Sequence, residues 1–201
     1  MFQLRKNTGI GAVALVVLLS ASSVLAGVVI SEVDYDQPGT DTQEWVELYN
    51  PDATPQSLAG LELAFFNGTL SGSCAEYCRI DLDPYTIPAN GYIVLGQDPC
   101  AVAPLCTTTN AIQNGSPDAI IVQDRVSGLI LDSVEYESDL VNSVCNFNLT
   151  NATDSGSTGG SIQLCGSGWF FLPVPTPCGP PDCTVPVEPG SWSSFKGRYG
   201  N

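Results

Sequence analysis

Past residue 26 the chain never sustains a helical spacing of apolar residues. Its apolar residues come instead in short runs, at 28–35, 44–49, 61–66, 92–95, 119–124, 129–136 and 161–164. The runs are rich in Val, Ile, Leu and aromatics, and Asn-Pro, Asn-Gly, Pro-Gly and Ser-Gly pairs punctuate them. Short β-favouring runs with turn residues between them predict strands and hairpins. Many such strands at close spacing predict an all-β sandwich. Alternation along the runs puts Val28, Ile30, Val46, Leu48, Leu61, Leu63, Ile93, Leu95, Ile121, Ile130 and Val134 on the core side.

The first 26 residues are of a different kind. Arg5 and Lys6 precede an apolar run near 10–19, and small residues lead to Val24-Leu25-Ala26. That order predicts a secretory signal cleaved after Ala26. Its apolar run is short for a bilayer span of about 20 residues. The expected organisation is a signal at 1–26, a sandwich domain at 27–181 and a Pro-rich tail at 182–201. The expected location is secreted or at the cell surface, with no membrane span after cleavage. Asn67-Gly68-Thr69, Asn114-Gly115-Ser116, Asn148-Leu149-Thr150 and Asn151-Ala152-Thr153 are sequons, glycosylated only in a host that uses them.

Cleavage would leave four cations against 21 acids, a net charge of −17. A surface of that sign repels phosphate backbones, so nucleic acid is not an expected partner. It attracts cations. The chain has eight cysteines and no histidine. An even count behind a secretory signal predicts disulfides. Zinc fits poorly, because no repeated Cys-x2-Cys and no His is present. Sequence-local pairing is the first expectation: Cys74 with Cys78, Cys100 with Cys106, Cys178 with Cys183, and Cys145 with Cys165.

The most concentrated chemistry lies at 31–50, SEVDYDQPGTDTQEWVELYN. If Val28 and Ile30 face the core, Glu32 follows on the same face. If Val46 and Leu48 do, so does Glu44. The two would converge at one hairpin mouth, with Asp34, Asp36 and Asp41 on or near the loop. Converging carboxylates need protons, donors or a cation. An oxygen-only ligand set selects a hard ion, calcium before magnesium, and calcium is the one candidate cofactor. The alternative is a structural role, with Glu32 and Glu44 accepting backbone N–H groups or tyrosine hydroxyls.

Several pieces in order resemble the lamin-tail domain family, in particular its secreted bacterial branch. They are Val28-Val29-Ile30-Ser31-Glu32-Val33-Asp34-Tyr35, Glu44-Trp45-Val46-Glu47-Leu48-Tyr49-Asn50-Pro51, Ser57-Leu58-Ala59-Gly60-Leu61-Glu62-Leu63, and Ile87-Pro88-Ala89-Asn90-Gly91-Tyr92-Ile93-Val94-Leu95. The runs at 118–122 and 130–136 continue the order, and the resemblance covers about 28–180. It implies an immunoglobulin-like β-sandwich and an interaction or targeting module rather than an enzyme.

The residue inventory agrees with that implication. Without His there is no Ser-His-Asp or Cys-His arrangement, and disulfide-bonded Cys cannot act as nucleophiles. Paired carboxylates for glycoside hydrolysis remain open by residue type, but a single small sandwich supplies no evident sugar cleft. The expected function is therefore binding or adhesion at the cell exterior, with an envelope protein or a glycan as partner. A structural surface component, or an accessory module to a separate secreted hydrolase or nuclease, are the alternatives. The tail adds Trp192, Phe195 and Tyr199 on one face of a short helical spacing, beside Lys196 and Arg198. It is similar to short tails of some secreted bacterial proteins, and its three aromatics are candidate binding residues.

Overall fold

The computed structural model describes residues 27–69, 73–115, 117–137, 145, 147, 150, 152–154, 156 and 159–184. The expected signal and the tail aromatics Trp192, Phe195 and Tyr199 lie outside the described residues.

Eleven strands carry the fold: β1 (Val29–Asp34), β2 (Trp45–Tyr49), β3 (Gln56–Ser57), β4 (Leu61–Thr69), β5 (Ser73–Asp81), β6 (Thr86–Ile87), β7 (Tyr92–Gly96), β8 (Asp118–Asp124), β9 (Ile130–Tyr136), β10 (Ser161–Cys165) and β11 (Gly168–Leu172). They form a five-stranded sheet in the order β11-β10-β1-β2-β7, a four-stranded sheet in the order β5-β4-β8-β9, and a small β3-β6 pair. Every strand pairing is antiparallel. No helix occurs among the described residues. The all-β expectation holds.

One core lies between the two larger sheets. Val28, Ile30, Val33, Tyr35, Val46, Leu48, Ile93, Leu95 and Ile162 enter it from the first sheet. Leu61, Leu63, Phe65, Ile120, Val122, Val134 and Tyr136 enter from the second. Each large side chain sealed there contributes roughly 1.5–3 kcal/mol through lost apolar exposure. Gly96 (φ +148°) ends β7 so close to β2 that a Cβ would stand 2.4 Å from the Glu44 carbonyl oxygen.

Two expected core positions are corrected. Ile121 is buried but turns away from this core, its register partners being Ala64 and Ser133. Its neighbours Ile120 and Val122 take the inward places. Ile130 is 40% exposed. A register shift between Val122 and Gln123 leaves Leu131 unpaired, and Leu131 packs on the core instead. A bulge of one residue reverses the alternation beyond it.

The cysteines form four disulfides, but none of the expected pairs. The bridges are Cys74–Cys145, Cys78–Cys106, Cys100–Cys178 and Cys165–Cys183. Cys74 and Cys78 both lie on β5. Four residues of extended strand separate their Cα atoms by roughly 13 Å, beyond the ~7 Å limit for a bridge. Each sulfur therefore bonds a different loop. The last two bridges tie the segment after β11 down at residues 178 and 183.

Candidate functional site

The hairpin acids are placed by a bulge that the alternation argument did not anticipate. Ile30 pairs with Leu48, yet Glu32 pairs with Glu47, so Ser31 is the inserted residue of β1. Val28 and Ile30 face the core before it, and Val33 and Tyr35 after it. Glu32 and Asp34 therefore point out of the sandwich, on the face that Glu47 shares.

That outer face is covered. Residues 173–184 cross it as a Pro-rich strap. Glu32 accepts the Ser161 hydroxyl (2.5 Å) and the Thr176 N–H (2.9 Å) at Oε1, and the Thr176 hydroxyl (2.7 Å) at Oε2. Glu47 accepts the Ser31 hydroxyl at Oε1 (2.7 Å) and the Gly179 N–H at Oε2 (3.3 Å). Gln163 donates to the Val174 carbonyl (2.9 Å) and to Ser161 Oγ (2.9 Å). Glu32, Glu47 and Gln163 are all 0% exposed. Two carboxylates thus sit as cross-strand neighbours under a lid. Burial pushes the Glu32 carboxyl above its usual range against the pull of Ser161 and Thr176. Burial pushes Glu47 up to about 8, Ser31 opposing and the Glu32 charge adding.

Glu44 goes elsewhere. It accepts the backbone N–H groups of Ala111 (2.5 Å) and Ile112 (3.1 Å), two core residues of the 97–117 connection. Burial raises it to about 7 in spite of those donors. Glu32 and Glu44 do not converge: the first holds the strap, the second holds the 97–117 connection. For Glu44 the structural alternative describes the geometry.

Asp34 takes the Gln37 amide, and burial raises it to about 7. It lines a cavity of about 160 Å³ with Gln37, Trp45, Gln97, Pro175 and Pro177. Asp41 accepts the Gln37 N–H (3.0 Å). Asp36 accepts the Gly156 N–H (2.9 Å). Asp36 and Asp41 are the two hairpin acids brought together, since the Asn114 amide reaches both, at 3.5 and 3.2 Å. Among the described residues no group of three or more His, Cys, Asp or Glu side chains is arranged to hold a metal ion. The end of the sandwich is closed by Tyr35, stacked on Tyr136 with centroids 4.4 Å apart. Its hydroxyl receives the Asp154 N–H (2.7 Å) and donates to Glu137 (3.1 Å).

A second feature was not singled out from the sequence. Tyr49 and Tyr92 are register partners on β2 and β7, stacked with centroids 4.6 Å apart. With Val29, Ser31, Leu164 and Pro181 they wall a half-open groove of about 320 Å³. The signal for it was present. If Val46, Leu48, Ile93 and Leu95 point inward, Tyr49 and Tyr92 point outward.

Two antiparallel sheets over one core, locked by bridges and without a helix among the described residues, define a disulfide-stabilised immunoglobulin-like β-sandwich. The model of the lamin tail domain matches residues 21–138, more than half of the chain, and the chain belongs to that family. The family supports a non-enzymatic immunoglobulin-like module. The match ends after β9. The β10-β11 hairpin and the strap lie beyond it, although β10 completes the first sheet beside β1. No curated protein matches the chain.

Proposed function

We propose that the protein is a secreted, non-catalytic binding module of the cell exterior, of the secreted bacterial lamin-tail type. Its recognition surface is the Tyr49–Tyr92 groove, and its partner is an envelope glycan or protein. The groove carries this reading: stacked aromatics stand half-buried at an open surface, backed by apolar Val29 and Leu164. Tyrosine offers an apolar face and a polar tip at little conformational cost, which suits a recognition surface.

Non-catalysis is supported by the chemistry at hand. The chain has no His, and every cysteine is in a bridge. The raised carboxyls at 32, 44 and 47 are engaged by protein donors. Secretion is supported by the bridges, which persist in oxidising compartments. No helix among the described residues is long and apolar enough to cross a membrane.

The test is titration of the oxidised protein with soluble envelope glycan fragments and envelope proteins, followed by NMR. Shifts should gather at Tyr49, Tyr92 and Leu164. Tyr92→Ala should weaken binding by about tenfold, ~1.4 kcal/mol. Binding that Tyr92→Ala leaves unchanged would remove the groove from the reading.

A further inference from the structure

A sheet ends in edge strands, and a soluble chain must blunt them. Three of the four edges in the two large sheets are blunted by recognisable devices. β7 is covered: the Val102 N–H bonds the Val94 carbonyl (2.8 Å), the Gly96 N–H bonds the Ala103 carbonyl (2.8 Å), and Leu95 bridges Ala103. β5 carries Glu76, Arg79 and Asp81, a bulge at Tyr77, and two disulfides that tether loops against it. β9 carries Asp132 and Glu135 and a bulge at Leu131, and the Thr150 N–H bonds the Glu135 carbonyl (2.8 Å).

β11 has none of these. Its sequence is Gly-Trp-Phe-Phe-Leu. It keeps an unbroken register with β10, from Ser161↔Leu172 to Cys165↔Gly168. Among the described residues no strand pairs with its outer side. Pro173 comes only after its last residue. Phe170 is 47% exposed. From 155 to 181 the chain has no charged residue, in a protein of net charge −15.

The direction of the free backbone groups follows from the turn. Gly166 (φ +65°) opens a two-residue loop, Gly166-Ser167, between Cys165 and Gly168. A glycine with φ > 0 at the first central position is the mark of a type II′ hairpin turn. The flanking pair Cys165–Gly168 then shares hydrogen bonds, and so does Gln163–Phe170 two residues on. Trp169 and Phe171 lie between, so their N–H and C=O groups point to the open edge.

We propose that this edge pairs with β11 of a second copy of the chain. An antiparallel pairing about a two-fold axis at Phe170 sets Trp169 opposite the copy's Phe171, with four backbone hydrogen bonds in all. Phe170 meets its own copy in the non-hydrogen-bonded position, where side chains approach closest. The two five-stranded sheets become one continuous sheet. Self-complementarity about the two-fold axis selects this occupant, and charge selects this place. Two copies of a strongly acidic chain repel wherever acids face each other. A self-complementary contact must sit where there are none, and the β10-β11 hairpin is such a place. The proposal is independent of the groove.

Sedimentation equilibrium of the oxidised protein is the test, with a dissociation constant on the order of micromolar to sub-millimolar for so small an interface. Added salt should tighten the dimer by screening the acidic bodies. Phe170→Lys, at an exposed side chain, should weaken it by about tenfold or more. Val126→Lys, at a 93% exposed hairpin position, should not. Hydrogen exchange supplies a readout that needs no variant. The amides of Trp169 and Phe171 should gain protection as protein concentration rises, while that of Phe170, already bonded to Gln163, should not change. A protein that stays monomeric throughout, a dimer indifferent to Phe170→Lys, or concentration-independent exchange at Trp169 and Phe171 would each overturn the proposal.

Discussion

Glu47→Gln should make the protein more stable at alkaline pH, although it removes a group that hydrogen-bonds the strap. Glu47 is 0% exposed and stands opposite Glu32. Burial, with the Glu32 charge added, raises its carboxyl from 4.5 to about 8. A folded-state pKa above the unfolded one means that the native state holds the proton more tightly. The stability this supplies is complete below pH 4.5 and is lost as pH rises through about 8. At about 1.4 kcal/mol per pH unit, the loss amounts to about 5 kcal/mol over that window. Glutamine is neutral throughout and keeps an oxygen for the Ser31 hydroxyl. Its amide nitrogen cannot accept from Gly179, which costs about 1 kcal/mol. The variant should therefore match or fall slightly below the parent at pH 5 and exceed it at pH 9. Asp34, Glu44 and Asp118 are also raised, each to about 7. Their contributions run out near pH 8 and are common to both proteins, so the difference between parent and variant from pH 7 to 9 reports Glu47. Glu32→Gln is the contrast. Glu32 receives three donors from Ser161 and Thr176, and replacing it should cost roughly 1–3 kcal/mol at pH 5. The assay is guanidinium unfolding at fixed salt with the bridges intact, from pH 5 to 9. An unchanged slope from pH 7 to 9 in Glu47→Gln would refute the reasoning, because Glu47 would then be ionised in the folded protein.

Peptide mapping without reduction should recover Cys74–Cys145, Cys78–Cys106, Cys100–Cys178 and Cys165–Cys183, and no Cys74–Cys78 peptide. Replacing Cys100 and Cys178 together by Ser should release the strap at one of its two bridges and lower stability by about 2–4 kcal/mol in denaturant titrations. In calcium calorimetry, any heat should vanish with Asp41→Asn and persist with Glu32→Gln, since Asp36 and Asp41 are the hairpin acids that share the Asn114 amide. The opposite pattern would restore a site at the hairpin mouth. Val122→Ala should cost roughly 1–3 kcal/mol through the cavity it leaves, whereas Ile130→Ala, at a 40% exposed position, should stay within about 0.5 kcal/mol of the parent.

What the sequence made legible, and what it hid, divides along one physical line. Alternation is a local property, and where β2, β4 and β7 run unbroken it placed Val46, Leu48, Leu61, Leu63, Ile93 and Leu95 in the core. A β-bulge inserts a residue without leaving a mark in composition. Nothing in Ile-Ser-Glu-Val announces that Ser31 is the extra one. Yet that insertion carries Glu32 from the expected core side to the outer face, and it replaces a hairpin-mouth carboxylate pair, Glu32 with Glu44, by a strap-covered pair, Glu32 with Glu47. The same blindness at Leu131 misplaced Ile130. The bridges were hidden for a related reason. Sequence-local pairing assumes that neighbours in the chain are neighbours in space, and an extended strand is the conformation that most separates them, as Cys74 and Cys78 show. β11 was missed because five residues between glycines and a proline are too few to establish a period. The strap escaped because its role depends on what lies beneath it. Only the three-dimensional register shows that Thr176 and Gly179 supply donors to two buried acids. The candidate site is thus built where long-range pairing overrides the local pattern, and its test is correspondingly non-local: changing Glu47 on β2 should alter amide exchange at Gly179 on the strap, 132 residues away in sequence.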